Sequence, residues 1–381
     1  MADRLHVCFV IRSLETGGAE RETVELIRRL AGGGDRVTVL VFYGGGQLEQ
    51  DLAGLRGVTV RSLEKRGRWD MPRFLYRLWS VVRQVRPDVL VGVLGVATES
   101  VLLVGRVLGV PVVWRLGAAF MDFSLYDWAP RAIFRIGAWL SRFPDAILIN
   151  SEAGRAHHVA HGWSPARMEV IPQGFDVGKF QPDRSAGMAV RAEWRVRDED
   201  LLIGLLARLD PIKDHETFLR AAAIAWRKEP ALRFACIGGG VDGEYRDRME
   251  RLSIELGLQH VLAWVGERRD VMGCCNALDI VTLTSLGEGL SNAIGEAMSC
   301  GVPAVVTDVG DMARLVGTTG RVVRSRDADS LAAAWLELAA QPSLRRILGD
   351  AARARVMEHY SVDAAARAFR KTFTTLAERR R

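Results

Sequence analysis

The segment SLGEGLSNAIGEAM, from Ser285 to Met298, directly follows an apolar, β-branched run at 280–283. Such a run is typical of a buried strand, and the glycines with the Ser-Asn pair predict a loop that ends in a helix cap. Glu288 then lies in the loop, and Glu296 lies about one turn into the helix on the same side. Two carboxylates so placed can bind paired hydroxyls, and the helix amides can bind an anion between them. Two ordinary helix-start acids are the alternative interpretation.

Outward from this segment, short β-branched runs alternate with helical patterns along nearly the whole chain. This alternation predicts an α/β protein with parallel sheets and crossover helices. A run without clear periodicity at 176–200 predicts a connector, and a final helix at 362–378 could pack back on the first half. We therefore expect a first domain at 1–177, a second at 178–361, and the helical end 362–381. The predicted strands are 6–11, 36–42, 58–63, 88–93, 111–114, 146–150 and 170–172, then 202–206, 233–238, 261–265, 280–283 and 304–307.

Length and composition agree with two globular domains. The chain has 381 residues, of which 49% are hydrophobic and 26% charged, and it has no apolar stretch long enough to span a bilayer. The first ten residues leave no room for a secretory signal, so we expect a cytoplasmic protein. Five cysteines without a C-x-x-C pair favour reduced, structural thiols. The net charge of +6 carries no nucleic-acid-binding signature, so no nucleic-acid partner is expected.

Two cations follow the first strand of the second half. Arg208 and Lys213 lie between that strand and the next predicted helix, so both project from the carboxyl edge of the sheet. A guanidinium fork and a compact ammonium group together suit a diphosphate. Gly17 and Gly18 hold the corresponding place after the first strand of the chain, where backbone amides could approach an anion. Solvated surface cations and a plain strand-to-helix turn are the alternative interpretations.

These motifs together resemble the GT-B-fold glycosyltransferases of family 4, whose second half carries a Glu-x7-Glu signature. Glu288 and Glu296 match it, and the segment 170–176 and the Gly17-Gly18 turn extend the similarity over nearly the whole chain. The resemblance implies two facing Rossmann-like domains with a cleft between them. It also implies a retaining transfer of sugar from a nucleotide-diphosphate donor, with the donor held mainly by the second domain and the acceptor mainly by the first. No cofactor and no metal are implied.

The resemblance assigns roles residue by residue. Arg208 and Lys213 would hold the diphosphate, Glu296 the ribose and Glu288 the transferred sugar, so Arg208, Lys213 and Glu288 are the candidate catalytic residues. Arg268 matches the nucleobase edge, and Gly18 would contact phosphate. The residues whose amides would lie beside sugar and phosphate are Gly289, Leu290, Ser291 and Asn292.

The sequence departs from the family pattern at Gln173, where an asparagine is usual, and in two further places. Arg115 stands where many relatives have a histidine, and it either stabilises charge or orients an acceptor, or is structural. Arg115 and Asp122 are the candidate acceptor-binding residues. The loop at 308–314 also lacks the usual Gly-Gly pair. The histidines at 157, 158 and 161 predict a surface face rather than a metal site, and the D-x-D triplets at 198–200 and 327–329 are interpreted as solvated acids.

Two arginine-rich segments raise the possibility of a membrane surface. Segment 66–86, which begins at Arg66 and ends at Arg86, has an apolar helical face with basic borders, and segment 131–142, from Arg131 to Arg142, is similar. The interpretations are helices packed on the first sheet or contacts with anionic lipid at the inner face of the cell membrane. The expected function is transfer to a glycan or lipid-linked glycan acceptor in cell-surface polysaccharide or lipopolysaccharide biosynthesis. A non-catalytic nucleotide-sugar-binding protein, a GT-B nucleotide-sugar 2-epimerase and, more weakly, a dinucleotide oxidoreductase are the alternatives.

Overall fold

The computed structural model describes residues 4–15, 17–67, 69–117, 128–240 and 243–380, with the side chains of 128–131 left out. The chain divides into two compact units: unit 1 is Met1–Gly174 with Val362–Arg381, and unit 2 is Phe175–Ser361. The boundary therefore falls before Phe175 rather than after residue 177. Phe175 belongs to unit 2 because its amide donates to the Tyr360 carbonyl oxygen at 2.7 Å and its ring packs against Gly295.

Unit 1 is built on a seven-stranded parallel sheet in the order β3-β2-β1-β4-β5-β6-β7. Its central strands are mostly apolar and buried because helices cover both faces of the sheet, whereas the edge strand at 58–62 is partly to fully exposed. The strands are β1 His6–Ile11, β2 Arg36–Val41, β3 Val58–Ser62, β4 Val89–Val93, β5 Val112–Leu116, β6 Ala146–Ile149 and β7 Met168–Val170. The helices are α1 Gly18–Gly32, α2 Met71–Val85, α3 Val96–Leu108, α4 Trp128–Leu140 and α5 Glu152–Ala160.

The last helix of the chain, α14 Val362–Glu378, packs on unit 1, as the sequence had suggested. Phe369 and Phe373 are buried in the same apolar core as residues of α1, and Arg370 Nε lies 2.9 Å from the buried Asp35 carboxylate. Helices α1 and α14 thus share one face of the sheet. Helices α2, α3 and α4 contribute to the core on the other face.

Unit 2 is built on a six-stranded parallel sheet in the order β10-β9-β8-β11-β12-β13. Its strands are β8 Leu201–Leu206, β9 Leu232–Ile237, β10 Leu262–Gly266, β11 Ile280–Leu283, β12 Ala304–Thr307 and β13 Arg321–Val323. Its helices are α6 Arg184–Glu193, α7 His215–Lys228, α8 Gly243–Glu255, α9 Val271–Ala277, α10 Asn292–Ser299, α11 Met312–Val316, α12 Ala328–Ala340 and α13 Pro342–His359.

The structure corrects two sequence-based predictions in the region 176–200. The expected connector contains the helix α6, whose Gly187 lies so close to the Asn276 carbonyl of α9 that a Cβ atom would overlap it. Glycine has a low helix propensity, so the residue that permits this packing also weakened the helix signal. Asp200 is not solvated: it is 3% exposed, and its carboxylate contacts Arg197 at 3.0 Å and Arg233 at 3.1 Å.

No helix within the described residues is long and apolar enough to cross a bilayer.

Candidate nucleotide-sugar site

The sheet of unit 2 has a topological switch point between β8 and β11. From β8 the chain continues outward through β9 and β10, and from β11 it continues in the other direction through β12 and β13. Loops that leave the carboxyl ends of two such strands diverge and open a crevice, which is where parallel α/β sheets bind ligands. Arg208 and Lys213 follow β8, and Glu288 follows β11. The order of the strands thus brings the loop of Arg208 and Lys213 next to the loop of Glu288.

The loop after β8 is held in shape by its own side chains. Asp210 accepts a hydrogen bond from the Ile212 amide at 3.0 Å at the start of a single 3-10 turn, and Asp214 caps α7. Arg208 remains 71% exposed and lies 3.7 Å from Asp210, a distance at which an exposed ion pair contributes little. The Arg208 guanidinium is therefore available to a ligand.

Two hydrogen bonds join this loop to the loop after β11. Thr284 Oγ1 donates to the Lys213 carbonyl oxygen at 2.7 Å, and the Leu286 amide donates to the Ile212 carbonyl oxygen at 2.8 Å. As a result, the Lys213 Nζ atom lies 2.6 Å from Glu288 Oε2, and their side chains are only 18% and 14% exposed. A charge-assisted bond between two mostly buried groups orients both side chains.

The loop after β12 packs against the backbone of Glu288 and Gly289. The Asp311 amide donates to the Gly289 carbonyl oxygen at 3.0 Å, and Gly310 has a φ of +56°. A Cβ atom on Gly310 would overlap the Glu288 carbonyl oxygen, so only glycine permits this approach. The loop that departs from the family pattern thus has a structural role beside the candidate sugar-binding carboxylate.

Helix α10 begins as the sequence predicts. It spans Asn292–Ser299, and Glu296 lies one turn after Asn292 and is half-buried. Leu290 and Ser291 are buried, and the Ser291 side chain makes no capping hydrogen bond. The first turn contains no acidic residue. The positive end of the helix dipole therefore suits a bound anion.

A cleft of about 360 Å³ opens beside this helix within unit 2. Arg208, Arg268 and Ala293 of the first turn of α10 all line it, so the structure brings Arg268 to the same place as Arg208. Arg268 is held by Glu193 at 2.5 Å and Asp270 at 2.7 Å, and these hydrogen bonds raise its pKa above the usual arginine value. Its guanidinium is fixed in orientation before any ligand arrives.

Sequence reasoning missed part of this cleft. Gly238, Gly239 and Gly240 follow β9, Glu267 follows β10, and all four line the cavity. The run GGGVDG at 238–243 lacks the G-x-G-x-x-G spacing of a dinucleotide-binding fingerprint, so no motif marks these glycines. Their position at the carboxyl end of a strand next to β8 was the signal that could have identified them.

Unit 1 has an equivalent switch point between β1 and β4. Gly18 is the first residue of α1, directly after the turn that follows β1, and nothing lies within 4 Å of where its Cβ would be. A Cβ atom would therefore have room there, so no packing contact among the described residues requires glycine at this position. Asp122 lies outside the described residues.

The side chain of Arg115 is buried and contacts other residues of unit 1. It lies in β5 and is 7% exposed, and its Nη2 atom is 2.8 Å from Glu22 Oε2 of α1. The same guanidinium donates to Thr23 Oγ1 and lies 5.7 Å from the Phe369 ring centroid. Burial raises the pKa of Glu22, and Arg115 only partly opposes this. These contacts support the structural interpretation of Arg115 over a ligand-binding one.

The histidine group at 157–161 is less exposed than the sequence suggested. His158 is buried, its Nδ1 donates to the Gly154 carbonyl oxygen at 2.8 Å, and its ring packs against Trp163. The expected surface face is therefore wrong for His158, because Trp163 folds over it. Across the described ranges, no three His, Cys, Asp or Glu side chains are grouped as metal ligands would be.

We expect His215 to make the stability of the protein depend on pH. It is 1% exposed, directly follows the loop that carries Lys213, and burial lowers its pKa from 6.5 to about 4. Because the folded pKa lies below the unfolded value, the stability that neutral His215 contributes is complete above pH 6.5 and is lost as the pH falls towards 4. We expect a loss of up to about 3 kcal/mol, measured by urea unfolding. His215→Leu should flatten this part of the profile, and His260→Gln, at an exposed position, should leave it unchanged.

Comparisons with known proteins agree with this architecture. Residues 16–179 match the family model described as Glycosyltransferase Family 4, and residues 200–341 match the one described as Glycosyl transferases group 1. A D-inositol 3-phosphate glycosyltransferase of Kribbella flavida is 30% identical over 55% of this chain and 51% of its own length. A GDP-mannose-dependent alpha-(1-6)-phosphatidylinositol monomannoside mannosyltransferase of Mycolicibacterium smegmatis is 28% identical over 64% of this chain and 63% of its own.

Solved structures show the same fold. The crystal structure of Anabaena HepE in complex with UDP superposes with a TM-score of 0.84, at 20% identity, over 97% of this chain and all of that chain. A glycosyltransferase from Rickettsia africae gives a TM-score of 0.83 at 16% identity, over 98% and 99% of the two chains.

Two Rossmann-like units, each with its candidate motif at a switch point, define the GT-B class of fold. The chain belongs to glycosyltransferase family 4. It spans about half the length of the inositol-phosphate relative that it matches.

Proposed function

We propose that this protein is a glycosyltransferase that moves a sugar from a nucleotide-diphosphate donor to a glycan or lipid-linked acceptor, with retention of anomeric configuration. The observation that carries the proposal is the junction of β8 and β11, where Lys213 contacts Glu288 at 2.6 Å and Arg208 lines the cleft beside an uncapped helix. Cations and amides suit the diphosphate, and the carboxylate suits sugar hydroxyls.

The reaction would proceed on one face of the sugar. The bond from the anomeric carbon to the phosphate oxygen breaks, and its electron pair leaves with the nucleoside diphosphate. The acceptor oxygen then bonds to that carbon, and its proton passes to the departing phosphate. Arg208, Lys213 and the first amides of α10 stabilise the charge that develops on the phosphate, while Glu288 holds the sugar. Glu296 would bind the ribose.

No metal is required in this scheme because two side-chain cations neutralise the leaving group. The expectation is tested by adding a chelator during turnover. An unchanged rate supports the proposal, whereas a rate that falls and is restored by magnesium contradicts it.

The function is tested by incubating the protein with UDP-, GDP- and ADP-sugars, with and without acceptors. UDP was bound in the Anabaena structure, and the Mycolicibacterium relative is named for GDP-mannose and a phosphatidylinositol mannoside, so both donors and inositol-containing acceptors belong in the panel. Acceptor-dependent release of nucleoside diphosphate is the expected result, and NMR of the product should show the donor's anomeric configuration. Binding without turnover would identify a non-catalytic sugar-nucleotide-binding protein, and a changed sugar without acceptor would identify an epimerase.

We also propose that unit 1 contacts an anionic membrane, where a lipid-linked acceptor for cell-surface polysaccharide would lie. Helix α2 buries Phe74 and Leu78 in the core, as the packed-helix interpretation requires. Its outer side nevertheless carries the exposed Tyr76, and Trp69 just before the helix is 91% exposed. Aromatic rings and arginines on an outer helix face are typical of an interfacial contact.

The membrane contact is tested by flotation with anionic vesicles. Arg73→Glu on the outer side of α2 should weaken binding by at least about fivefold, because each cation near such a surface contributes on that scale. Arg227→Glu, at an exposed position in unit 2, is the matched control. Equal flotation of both variants and the unchanged protein would remove the proposal.

A further inference from the structure

A second, basic cavity lies at the opposite edge of the unit 1 sheet from Gly18 and Arg115. Its volume is about 260 Å³. Pro111, Asp145 and Arg167 line it and immediately precede β5, β6 and β7, so the cavity is at the amino ends of these strands. The carboxyl edge, which holds the candidate substrate-binding residues, is not part of it.

Four arginine residues line this cavity. They come from distant parts of the chain, namely Arg106 of α3, Arg167 before β7, and Arg379 and Arg380 after α14. The single carboxylate in the lining, Asp145, already accepts a hydrogen bond from the Val112 amide at 2.9 Å. The cavity therefore carries an excess of positive charge.

Within the described part of the chain, none of the four arginines forms an ion pair. Arg106 donates to the Phe143 carbonyl oxygen, and Arg380 donates to the Pro87 carbonyl oxygen at 3.0 Å. The side chains of Arg167 and Arg379 have no hydrogen-bond or ion-pair partner among the described residues, and both are exposed. Uncompensated cations grouped in this way attract a multivalent anion, and guanidinium forks match phosphate oxygens.

An exposed apolar surface adjoins this cavity. Leu103 and Val107 lie on the same side of α3 as Arg106 and are 54% and 67% exposed. Through its bond to the Phe143 carbonyl, Arg106 also reaches the Trp139–Phe143 pair, whose ring centroids are 5.7 Å apart. These rings are 62% and 43% exposed. A phosphate site beside exposed aromatic and aliphatic side chains suits an amphiphile better than a soluble anion.

We propose that this cavity binds the phosphoryl headgroup of an anionic phospholipid, with the neighbouring apolar surface against the acyl region. The ligand is held by Arg106, Arg167, Arg379 and Arg380, and Trp139 and Phe143 lie at the lipid interface. The site deepens the membrane contact proposed above and orients unit 1 on the bilayer. It is separate from the residues that bind donor and acceptor.

The test uses the full chain and vesicles without donor or acceptor, so its outcome is independent of transfer activity. Vesicles of phosphatidylcholine with phosphatidic acid are compared with vesicles that carry oleic acid at equal surface charge. Arg167→Glu/Arg379→Glu should weaken binding to the phosphatidic acid vesicles at least about 30-fold, as expected for two cations at an anionic surface. Arg251→Glu/Arg346→Glu makes the same charge change at exposed positions of unit 2 and should have less than about a threefold effect.

Further arms identify the ligand. Trp139→Ser should also reduce vesicle binding, and folding of every variant is checked by thermal unfolding. Equal binding to oleic acid vesicles, or equal loss in the two double variants, would contradict a phosphoryl site. Inorganic phosphate is also titrated alone. If it binds and this binding requires Arg167, while the protein does not bind vesicles, a lipid ligand is contradicted. If Arg167→Glu still weakens vesicle binding when Arg73→Glu is also present, the cavity acts separately from α2. If Arg167→Glu has no effect on vesicle binding in that background, the proposed cavity site is contradicted.

Discussion

Replacing Lys213 with methionine is expected to lower kcat/KM for sugar transfer by at least about 100-fold, the scale of losing one positioned charged contact to the leaving group. The ammonium group lies 2.6 Å from Glu288 Oε2, and both side chains are mostly buried. Methionine keeps the length of the side chain and removes its charge. The substitution therefore removes both the ion-pair partner of Glu288 and a cation that we propose binds the diphosphate.

The Lys213 result must be separated from loss of stability. Without its partner, the Glu288 carboxylate is left in a site where it is only 14% exposed, and we expect the free energy of unfolding to fall by on the order of 2 kcal/mol. Lys213→Met/Glu288→Gln should recover most of this stability but none of the transfer activity. Lys228→Met, at the exposed end of α7, is the control. Transfer near the normal rate in Lys213→Met would refute the proposed site.

Replacing Gly310 with alanine is the second change with a large expected effect. The new Cβ atom would overlap the Glu288 carbonyl oxygen, and the φ of +56° strains any L-residue by about 1–2 kcal/mol. The loop that carries Glu288 must shift, and a displacement of about an ångström at a reacting group can cost about 100-fold in rate. We expect a loss of that size in kcat/KM, measured with donor and acceptor at fixed concentrations.

Gly301→Ala provides a matched control for Gly310→Ala. Gly301 has a φ of +80°, and the nearest atom to its Cβ position is Pro182 Cγ at 3.8 Å. The control therefore carries a similar backbone strain without a clash. It should lower the melting temperature while leaving transfer close to normal. Equal kinetic losses in both variants would mean that strain alone, rather than the position of Glu288, reduces the activity.

Much of the fold could be predicted because its signals are local. Buried parallel strands appear as continuous apolar runs. The helix predicted after the Ser-Asn cap and the final helix at 362–378 agree with α10 and α14. Helix α6 was missed for an equally local reason, since Gly187 weakens its propensity while its packing partner Asn276 lies far along the chain. Signals that depend on a distant neighbour are absent from a window of sequence.

In the candidate site, too, local motifs could be recognised in the sequence, whereas contacts between distant residues could not. Arg208, Lys213, Glu288 and Glu296 were all identified from motifs, but their roles stay predictions until the variants are measured. Arg115 looked equally suited to a ligand and to a structural role, and only the approach of Glu22 at 2.8 Å favours the second.

The sequence by itself determined the two α/β units and the strand-to-loop positions of the motifs, because strand, loop and cap preferences act between near neighbours. The family was indicated by the resemblance of those motifs to known ones. Only the tertiary structure decided that Lys213 contacts Glu288 across 75 residues of chain, that Gly310 supports the Glu288 loop, and that arginines from α3, from the turn before β7 and from the segment after α14 line one cavity. These relations depend on which strands lie side by side in a parallel sheet, and crossover connections make that order independent of distance along the chain.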